Sequence, residues 1–512
     1  MRLATDLALA VRTRGPQRPA TRAVSLLMLG LLLSQINASC SLLETAAFPG
    51  AQGFGATSTG GRSGRIIEVT NLDDIDPATG QAVPGSLRAA IEAAGPRIVV
   101  FRVSGTINVC ESNKRLVIEQ PYITIAGQTA PGGGITLRLD PSCAGSALTI
   151  WTNDVVIRHV RFRPGSNPGA DLGDSDAITI SGVNAHDIII DHCSFSWATD
   201  ENVDISWGAR NVTVQYSIIS EALKDASRTL VGPSGGYGML IAEGDPLGNH
   251  TRQISLHHNL FAHNWYRNPQ VSSDGLIDVR NNVIYDWGLH GLRVQDLYGP
   301  TKLNIVGNYS KPGPSTSFPA DEREMWALHS IGQLPFSYFV QDNLGPRRPS
   351  SSLPELNVIY CRQHNEGVPN SGVDCDPATF SRPTAFSVTA VTTASPAAAY
   401  DDVLANAGAT LPSRDTVDVR VVAQVRNGTG GQISAPASVG GWPWIVSTAA
   451  PADADHDGMP NAWETQYGLN NNEPTDGNLD NDSDRFTNVE EFLNATNPLV
   501  PDASQIAVSP PG

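Results

Sequence analysis

Fourteen residues, DHCSFSWATDENVD from Asp191 to Asp204, follow the apolar run HDIII and carry four acids. A carboxylate placed beside an apolar strand is costly to bury, and a group of them is costlier unless a cation or basic groups compensate. Asp200 and Asp204 stand four apart, and Asp174 and Asp176 precede them in GDSDAITI. If the two phrases lie side by side, their oxygens converge on one hard cation, and calcium takes six to eight such ligands with water and substrate completing the set. Asp191, directly after the apolar run, reads as a structural acid. His192 and His258 read as stacked or hydrogen-bonded between neighbouring strands.

A second set of acids lies near the end of the chain. DADHDGMPNAWE places Asp453, Asp455 and Asp457 at the first, third and fifth positions, glycine at the sixth and Glu464 at the twelfth, the spacing of a calcium loop. DNDSDRFTNVEE repeats it with Asp480, Asp482, Asp484 and Glu491, but Arg485 takes the glycine position, so this loop is the weaker of the two. No entering helix is expected before Asp453, which makes the pair resemble thrombospondin type 3 or dockerin-like repeats. A calcium-stabilised spacer and a partner-binding module are both open readings of it.

The elements that must position the first set are short and repeated. VVIRHVRF, DIIIDHCSF, NVTVQYSII, QISLHHNLF, LIDVRNNVIY and KLNIVGNYS each alternate with period two and then turn. The closer spacings match one coil of a parallel β-helix, and the longer ones match coils with inserted loops. Asn259, Asn282 and Asn308 fall at the same place in their phrases, where stacked asparagines bond the backbone of successive coils. GSLRAAIEAAGPRIVVFRVSGTI supplies a helix and then a strand, the cap expected over the open end of a solenoid. The fold expected is therefore all-β, a right-handed single-stranded parallel β-helix with an N-terminal capping helix and a small C-terminal calcium-binding module. Its divisions are a signal peptide over 1–39, the β-helix over 47–440, a linker over 441–452 and the calcium module over 453–498. The stretch from about 377 to 440, with a helical piece at YDDVLANAG, is expected to pack on the solenoid flank.

Bulk properties narrow the partners. Lys and Arg total 34 against 51 Asp and Glu, a net charge of −17, which disfavours nucleic acid. Arg2, Arg12, Arg14, Arg18 and Arg22 precede AVSLLMLGLLL, a run too short to span a bilayer and suited to export, with cleavage near Ala38 or Ser39. Lipidation of Cys40 is the alternative, although Asn37 stands where a lipoprotein signal usually has leucine. Cys361 and Cys375 bracket a polar loop and form one expected disulfide, Cys110 and Cys143 a second, with Cys193 a buried thiol. A secreted protein that carries several calcium ions fits these features.

The phrases FPGAQGFGA, GSLRAAI, VVFRVSGTI, ITIAGQTAPG, DAI, DHCSFSW, DENVD, HHNLF and YRNP together resemble polysaccharide lyase family 1, in the branch of pectate lyases that contains pectate trisaccharide-lyases. The resemblance covers roughly 48–440. It implies a secreted monomer acting on an acidic polysaccharide, with calcium held by Asp174 or Asp176 with Asp200 and Asp204, a catalytic arginine at Arg267 and a catalytic lysine at Lys224. The implied reaction is β-elimination on α-1,4-linked galacturonate, giving unsaturated oligogalacturonides. Family members often carry another arginine shortly after the catalytic one. NPQVSSD has none, and Arg280 or Arg293 from neighbouring coils is expected to bind substrate in its place. A pectin lyase acting on methylated substrate, and a non-catalytic surface β-helix that binds acidic glycan through calcium, are the rival readings. A carboxylate-pair glycosidase would leave Arg267 without a role.

Overall fold

The computed structural model describes residues 43–140, 143, 145–165, 175–225, 235–244, 247–316, 324–365, 372–503 and 505–507. The expected leader over 1–39, Cys40 and Asp174 lie outside the described residues. Among those described, three sheets of eight, ten and ten strands are visited in rotation, one strand of each per coil. Sheet I runs from Gly105–Val109 to Tyr309–Lys311, sheet II from Val117–Ile118 to Val373–Asp374, and sheet III from Arg65–Val69 to Ser337–Gln341. Pairing along each is parallel except at the last pair of sheet II. The chain is a parallel β-helix.

One coil shows how the alternating phrases make the turns. Val155–Arg158 lies in sheet III, His159 turns the chain at φ 55°, and Val160–Phe162 continues in sheet I. Ile178–Ser181 then enters sheet II, and His186–Asp191 returns to sheet III, pairing Ile188 with Val155 and Asp191 with Arg158. The corner residue repeats in register. His159, His192, Tyr216 and His258 all have positive φ and stack, with successive ring centroids 5.0, 5.1 and 4.8 Å apart. Beside them, Asn259, Asn282, Asn308 and Asn343 form a buried ladder. Each of the first three receives the preceding turn's N–H or amide and donates to a carbonyl of the coil before. Asn343 extends the ladder by one rung beyond the three asparagines read from the sequence, donating to the Ile305 carbonyl at 2.8 Å.

The interior is filled by one continuous apolar column, with residues such as Val99, Ile157, Ile190, Val214, Leu256 and Val279 contributed by successive coils of sheet III. Leu87–Glu92 caps its N-terminal end, with Ser86 accepting from the Ala89 N–H and with Leu87, Ala90 and Ile91 buried. Arg88 holds the cap through a two-toothed ion pair with Asp74 at 2.6 and 2.9 Å. Disulfides join Cys110 to Cys143 and Cys361 to Cys375, and Cys193 is a buried free thiol.

The outer faces differ. Sheet I is covered by helices Pro396–Asn406 and Thr416–Asn427, whose Val403, Leu404, Val421 and Val425 pack on Ile218, Leu260 and Val283. The second helix was not expected, because DTVDVRVVAQVRN is rich in β-branched residues; Asp415 starts it by accepting from the N–H groups of Val417 and Asp418. Sheet III is mostly apolar outside over its first coils, at Ile98, Val156 and Ile189 with Thr124 between the first two, and turns polar at Thr213, Ser255, Asp278 and Asn304. The N-terminal segment crosses the change, with Gly55 N–H on Thr213 Oγ1 and Phe54 N–H on Ser255 Oγ. A Cβ on Gly55 would stand 2.0 Å from the Ile188 carbonyl oxygen, which accounts for the last glycine of FPGAQGFGA. The residues read as a linker, 441–452, are tied to the solenoid. Trp442 donates to the Arg163 carbonyl, and the Gly133 N–H bonds to Val446. Among the described residues no helix is long and apolar enough to cross a membrane.

Candidate active site

Among the described residues no helix covers the middle strands of sheet II, and the acids gather there. Parallel pairing sets Glu201 opposite Tyr237, and a bridge joins Tyr237 to Tyr266, so the starts of three successive strands form one file. Asp176 lies one coil earlier, its Oδ1 accepting from the Glu201 N–H at 3.2 Å. Carboxylate oxygens of Asp176, Asp200 and Glu201 come within 4.8 Å of one another. Asp204 sits on the same strand as Glu201, opposite Thr179.

These acids are crowded. Asp176 accepts from Thr179 Oγ1 at 2.7 Å and Ser146 Oγ at 3.3 Å, yet burial and then Asp200 push its carboxyl up to about 7. Burial and then Asp176 push Asp204 well above the usual carboxylate range, against the help of a hydrogen bond from Ser206 Oγ at 2.7 Å. Several carboxylates that raise one another's pKa at a partly open face, with only oxygen donors, fit a hard divalent cation.

Arg267 stands at the end of the file in an αL conformation, φ 59°. Its neighbour fixes it there. Buried Asn268 receives from Asn264 Nδ2 at 2.9 Å and donates to the His290 carbonyl at 3.1 Å. The guanidinium carbon lies 4.0 Å from the Tyr237 ring centroid and 5.7 Å from that of Tyr266, and Nη1 pairs with Glu201 Oε1. Burial pulls the Arg267 pKa down, while Asp200 and Asp176 push it back up. Arg293, one coil on in sheet II, also faces Tyr266, at 5.2 Å, and bonds Gln270 Oε1 and Gln295 Oε1. Burial alone lowers it to about 10. Lys224 precedes the same file. It bridges Gly235, and its Nζ lies 3.8 Å over the ring of Trp265.

No family model matches the chain. A protein of Aspergillus terreus named "Probable pectate lyase C" is 35% identical over 479 residues, which cover 92% of this chain and 99% of that protein. A protein of the same name from Aspergillus fumigatus is 36% identical over 477 residues, covering 92% and 98%. The chain belongs to the pectate lyase family. It is a polysaccharide lyase. Among solved structures it is similar to the cedar pollen allergen jun a 1, at 18% identity and TM-score 0.44 over 70% of this chain and 92% of that one.

The lyase brings Asp176, Asp200, Asp204, Lys224, Arg267 and Arg293 to one face. Arg280 does not join them. It ends a strand of sheet III, where it pairs with Asp278 at 2.6 Å, because successive strands of a coil belong to different sheets. Asp191 is likewise in sheet III, held well below the usual carboxylate range, despite its burial, by His192 and Arg158. Glu201 was missed. Strict alternation puts it on the side of Val203 and Ile205, which are core residues, but at the first residue of the strand its carboxylate reaches Arg267 instead. The C-terminal acids form separate groups. Asp453, Asp455 and Asp457 converge, as do Asp480, Asp482 and Asp484, and Asp457 and Glu464 are joined by Asp476, an acid not foreseen. Glu491 lies beside the second group, where burial pushes it up to about 7.

Proposed function

We propose that the enzyme is a secreted, calcium-dependent pectate lyase that cleaves α-1,4-linked polygalacturonate by β-elimination and releases unsaturated oligogalacturonides. The observation that carries this reading is the sheet II cluster beside Arg267, where carboxylate oxygens of Asp176, Asp200 and Glu201 lie within 4.8 Å of one another and Asp204 is close enough to Asp176 and Asp200 to be raised by them. The three aspartates would hold the calcium, which when bound supplies positive charge against the uronate carboxylate and so acidifies the C5 proton. Arg267 takes that proton. The C5–H electron pair becomes the C4–C5 double bond, the C4–O bond breaks, and the leaving oxygen is protonated from water.

A guanidinium is an unusual base, since it ordinarily holds its proton past pH ~12. Burial favours its neutral form, and Asp200 and Asp176 oppose that while they are uncompensated anions. Binding their charge to a cation removes the opposition. Glu201 must give up its pairing with Arg267 when substrate enters, which makes it a competitor for the guanidinium. Lys224 and Arg293, both seated on aromatic faces, supply fixed charge to uronate carboxylates on either side of the reacting bond. The two disulfides suit an oxidising compartment, as does a polymeric substrate outside the cell.

Incubation with polygalacturonate, with calcium or with chelator, tests the reading through the ultraviolet absorbance of unsaturated ends. Absorbance should rise with calcium and stop with chelator. Binding of the polymer without any rise would replace the lyase reading with a non-catalytic glycan-binding one. A rate that is higher on fully methylated pectin and insensitive to chelator would make it a pectin lyase.

A further inference from the structure

The two C-terminal loops are copies of one unit. Asp453, Asp455, Asp457 and Glu464 each recur 27 residues later as Asp480, Asp482, Asp484 and Glu491, and a fifth acid follows in each copy, Asp476 and Asp502. The third acid of each loop is tied to an apolar residue two positions on. Asp457 Oδ1 accepts from the Met459 N–H at 2.9 Å, and Asp484 Oδ1 accepts from the Phe486 N–H at 2.8 Å. Asp484 also receives the Asp502 N–H at 2.7 Å, which draws the fifth acid toward the second loop.

Met459 and Phe486 are the contacts by which the tail sits on the solenoid. Met459, Val489 and Leu493 pack with Ile98, Val100 and Ala126 on the outside of sheet III. Phe486 packs with Phe48, Val156 and Ile189. These are apolar outer positions of the first coils, and over Val156 and Ile189 the tail shares the cover with the N-terminal segment through Ala47, Phe48 and Ala56. The ion pair of Arg62 with Glu490 at 2.9 Å and the hydrogen bond between His456 Nδ1 and Glu68 Oε2 at 2.9 Å frame the contact.

Inside each loop, buried carboxylate oxygens point at one another. Glu464 is fully buried, and neither of its carboxylate oxygens has a hydrogen-bond partner among the described residues; Asp457 Oδ2 and Asp476 Oδ1 are in the same condition, and all three side chains converge within 4.8 Å. In the second loop Glu491 is 1% exposed, and its Oε1, with Asp482 Oδ2 and Asp502 Oδ2, is also without a partner there. Turn hydrogen bonds satisfy both oxygens of Asp453 and Asp480 and one each of Asp457, Asp476 and Asp482, while both oxygens of Asp455 are also without a partner among the described residues. Unpaired anions buried together are unstable without a cation, and an all-oxygen set with a carboxylate at the twelfth position suits calcium better than a nitrogen- or sulfur-seeking metal.

We infer that the tail holds two calcium-class cations, one on Asp453, Asp455, Asp457, Glu464 and Asp476 and one on Asp480, Asp482, Asp484, Glu491 and Asp502, and that their occupancy locks Met459 and Phe486 onto sheet III as a cation-dependent clamp. The fifth acids and the coupling to docking go beyond the loop motif. The cation fixes the third acid, the third acid fixes the backbone of the apolar residue, and that residue covers the sheet.

Limited proteolysis of the full-length protein, in calcium and in EGTA, reads the clamp directly, with fragments assigned by mass. In calcium the region 441–503 should be resistant. In EGTA cleavage within it should become about tenfold faster or more, with the barrel fragment intact, because a cation that binds only the docked form stabilises it. The Glu464→Gln/Glu491→Gln double variant should behave in calcium as wild type does in EGTA, and equilibrium dialysis should show it binding two fewer calcium ions. The sheet II acids are untouched in that variant, so a difference of two is independent of the active-site reading. Equal protection of wild type in calcium and EGTA would overturn the clamp, and an unchanged calcium count in the variant would overturn the two sites.

Discussion

Sheet II and the C-terminal tail both concentrate carboxylates, but they do it differently. In the tail, four acids of each group come from twelve consecutive residues, so the chain carries the ligand geometry in its own turns. On sheet II the acids come from two coils and are brought together only by parallel pairing, with Arg267 added from two coils further on. In the tail, Asp457, Glu464 and Asp476 are all buried while Asp480 is exposed, and on sheet II Asp176 and Asp200 are half-buried beside Arg267. A closed oxygen cage suits a structural cation, and an open one beside a cationic side chain suits a cation that must share its ligand shell with substrate.

The comparison breaks most sharply at Arg267. Arg267→Lys should lower turnover by a factor of about a thousand while polygalacturonate still binds, since a positioned acid or base contributes about 10²–10⁴. Initial rates together with a binding isotherm check it, and more than a tenth of wild-type activity would remove Arg267 from the base role. Its charge is retained in the variant, so the loss isolates position and planarity.

The next effect separates metal ligand from structural acid. Asp204→Asn should raise the calcium needed for half-maximal activity by roughly tenfold to a hundredfold, a range like that seen when groups supporting a metal site are lost. In chelator the variant should melt no lower than wild type, because one charge is gone from a cluster whose members destabilise one another. A lower melt in chelator with an unchanged calcium midpoint would make Asp204 structural.

Removal of everything after Pro451 acts on the other region. The truncated protein should keep its activity on short oligomers, since the sheet II group lies away from the tail, but it should melt several degrees lower because Ile98, Val100 and Val156 lose their cover. Calcium should raise its melting temperature less than that of the whole chain. Equal calcium shifts in the two proteins would erase the distinction between the regions.

The smallest effect is expected at the corner between sheets III and I, remote from both acid groups. Burial, and then His258, hold His257 down to about 3. The unfolded chain takes that proton below about 6.5, so the stability contributed by the neutral ring is complete above that pH and is lost as pH falls toward 3. His257→Gln, melted in chelator to silence the metal sites, should lose less stability between pH 7 and 4 than wild type. An acid limb as steep as wild type's would mean that His257 does not titrate with unfolding.

The legible parts of the sequence were those whose physics is local. Period-two phrases with turn asparagines specify coils because alternation and an αL corner are properties of a few residues. The tail loops were equally legible, since calcium-loop spacing is a property of one turn. Asp476 and Asp502 were not, because they reach the loops from beyond that turn. The helix Thr416–Asn427 was hidden by its β-branched residues, which form a helix here because one face of it packs on sheet I.

The repeating coil, the capping helix and the local acid spacing follow from neighbouring residues alone. The tertiary structure alone decided which coil faces meet. Arg280 and Arg293 are near in sequence and similar in setting, yet the first belongs to sheet III and the second to sheet II, so only Arg293 shares the Tyr266 face with Arg267. Likewise Glu201, an inward residue by alternation, turns to Arg267 at the mouth of its strand. Alternation assigns a side of a strand, but which of the three sheets the strand joins depends on the length of the intervening turns, and that is settled only when the coils stack.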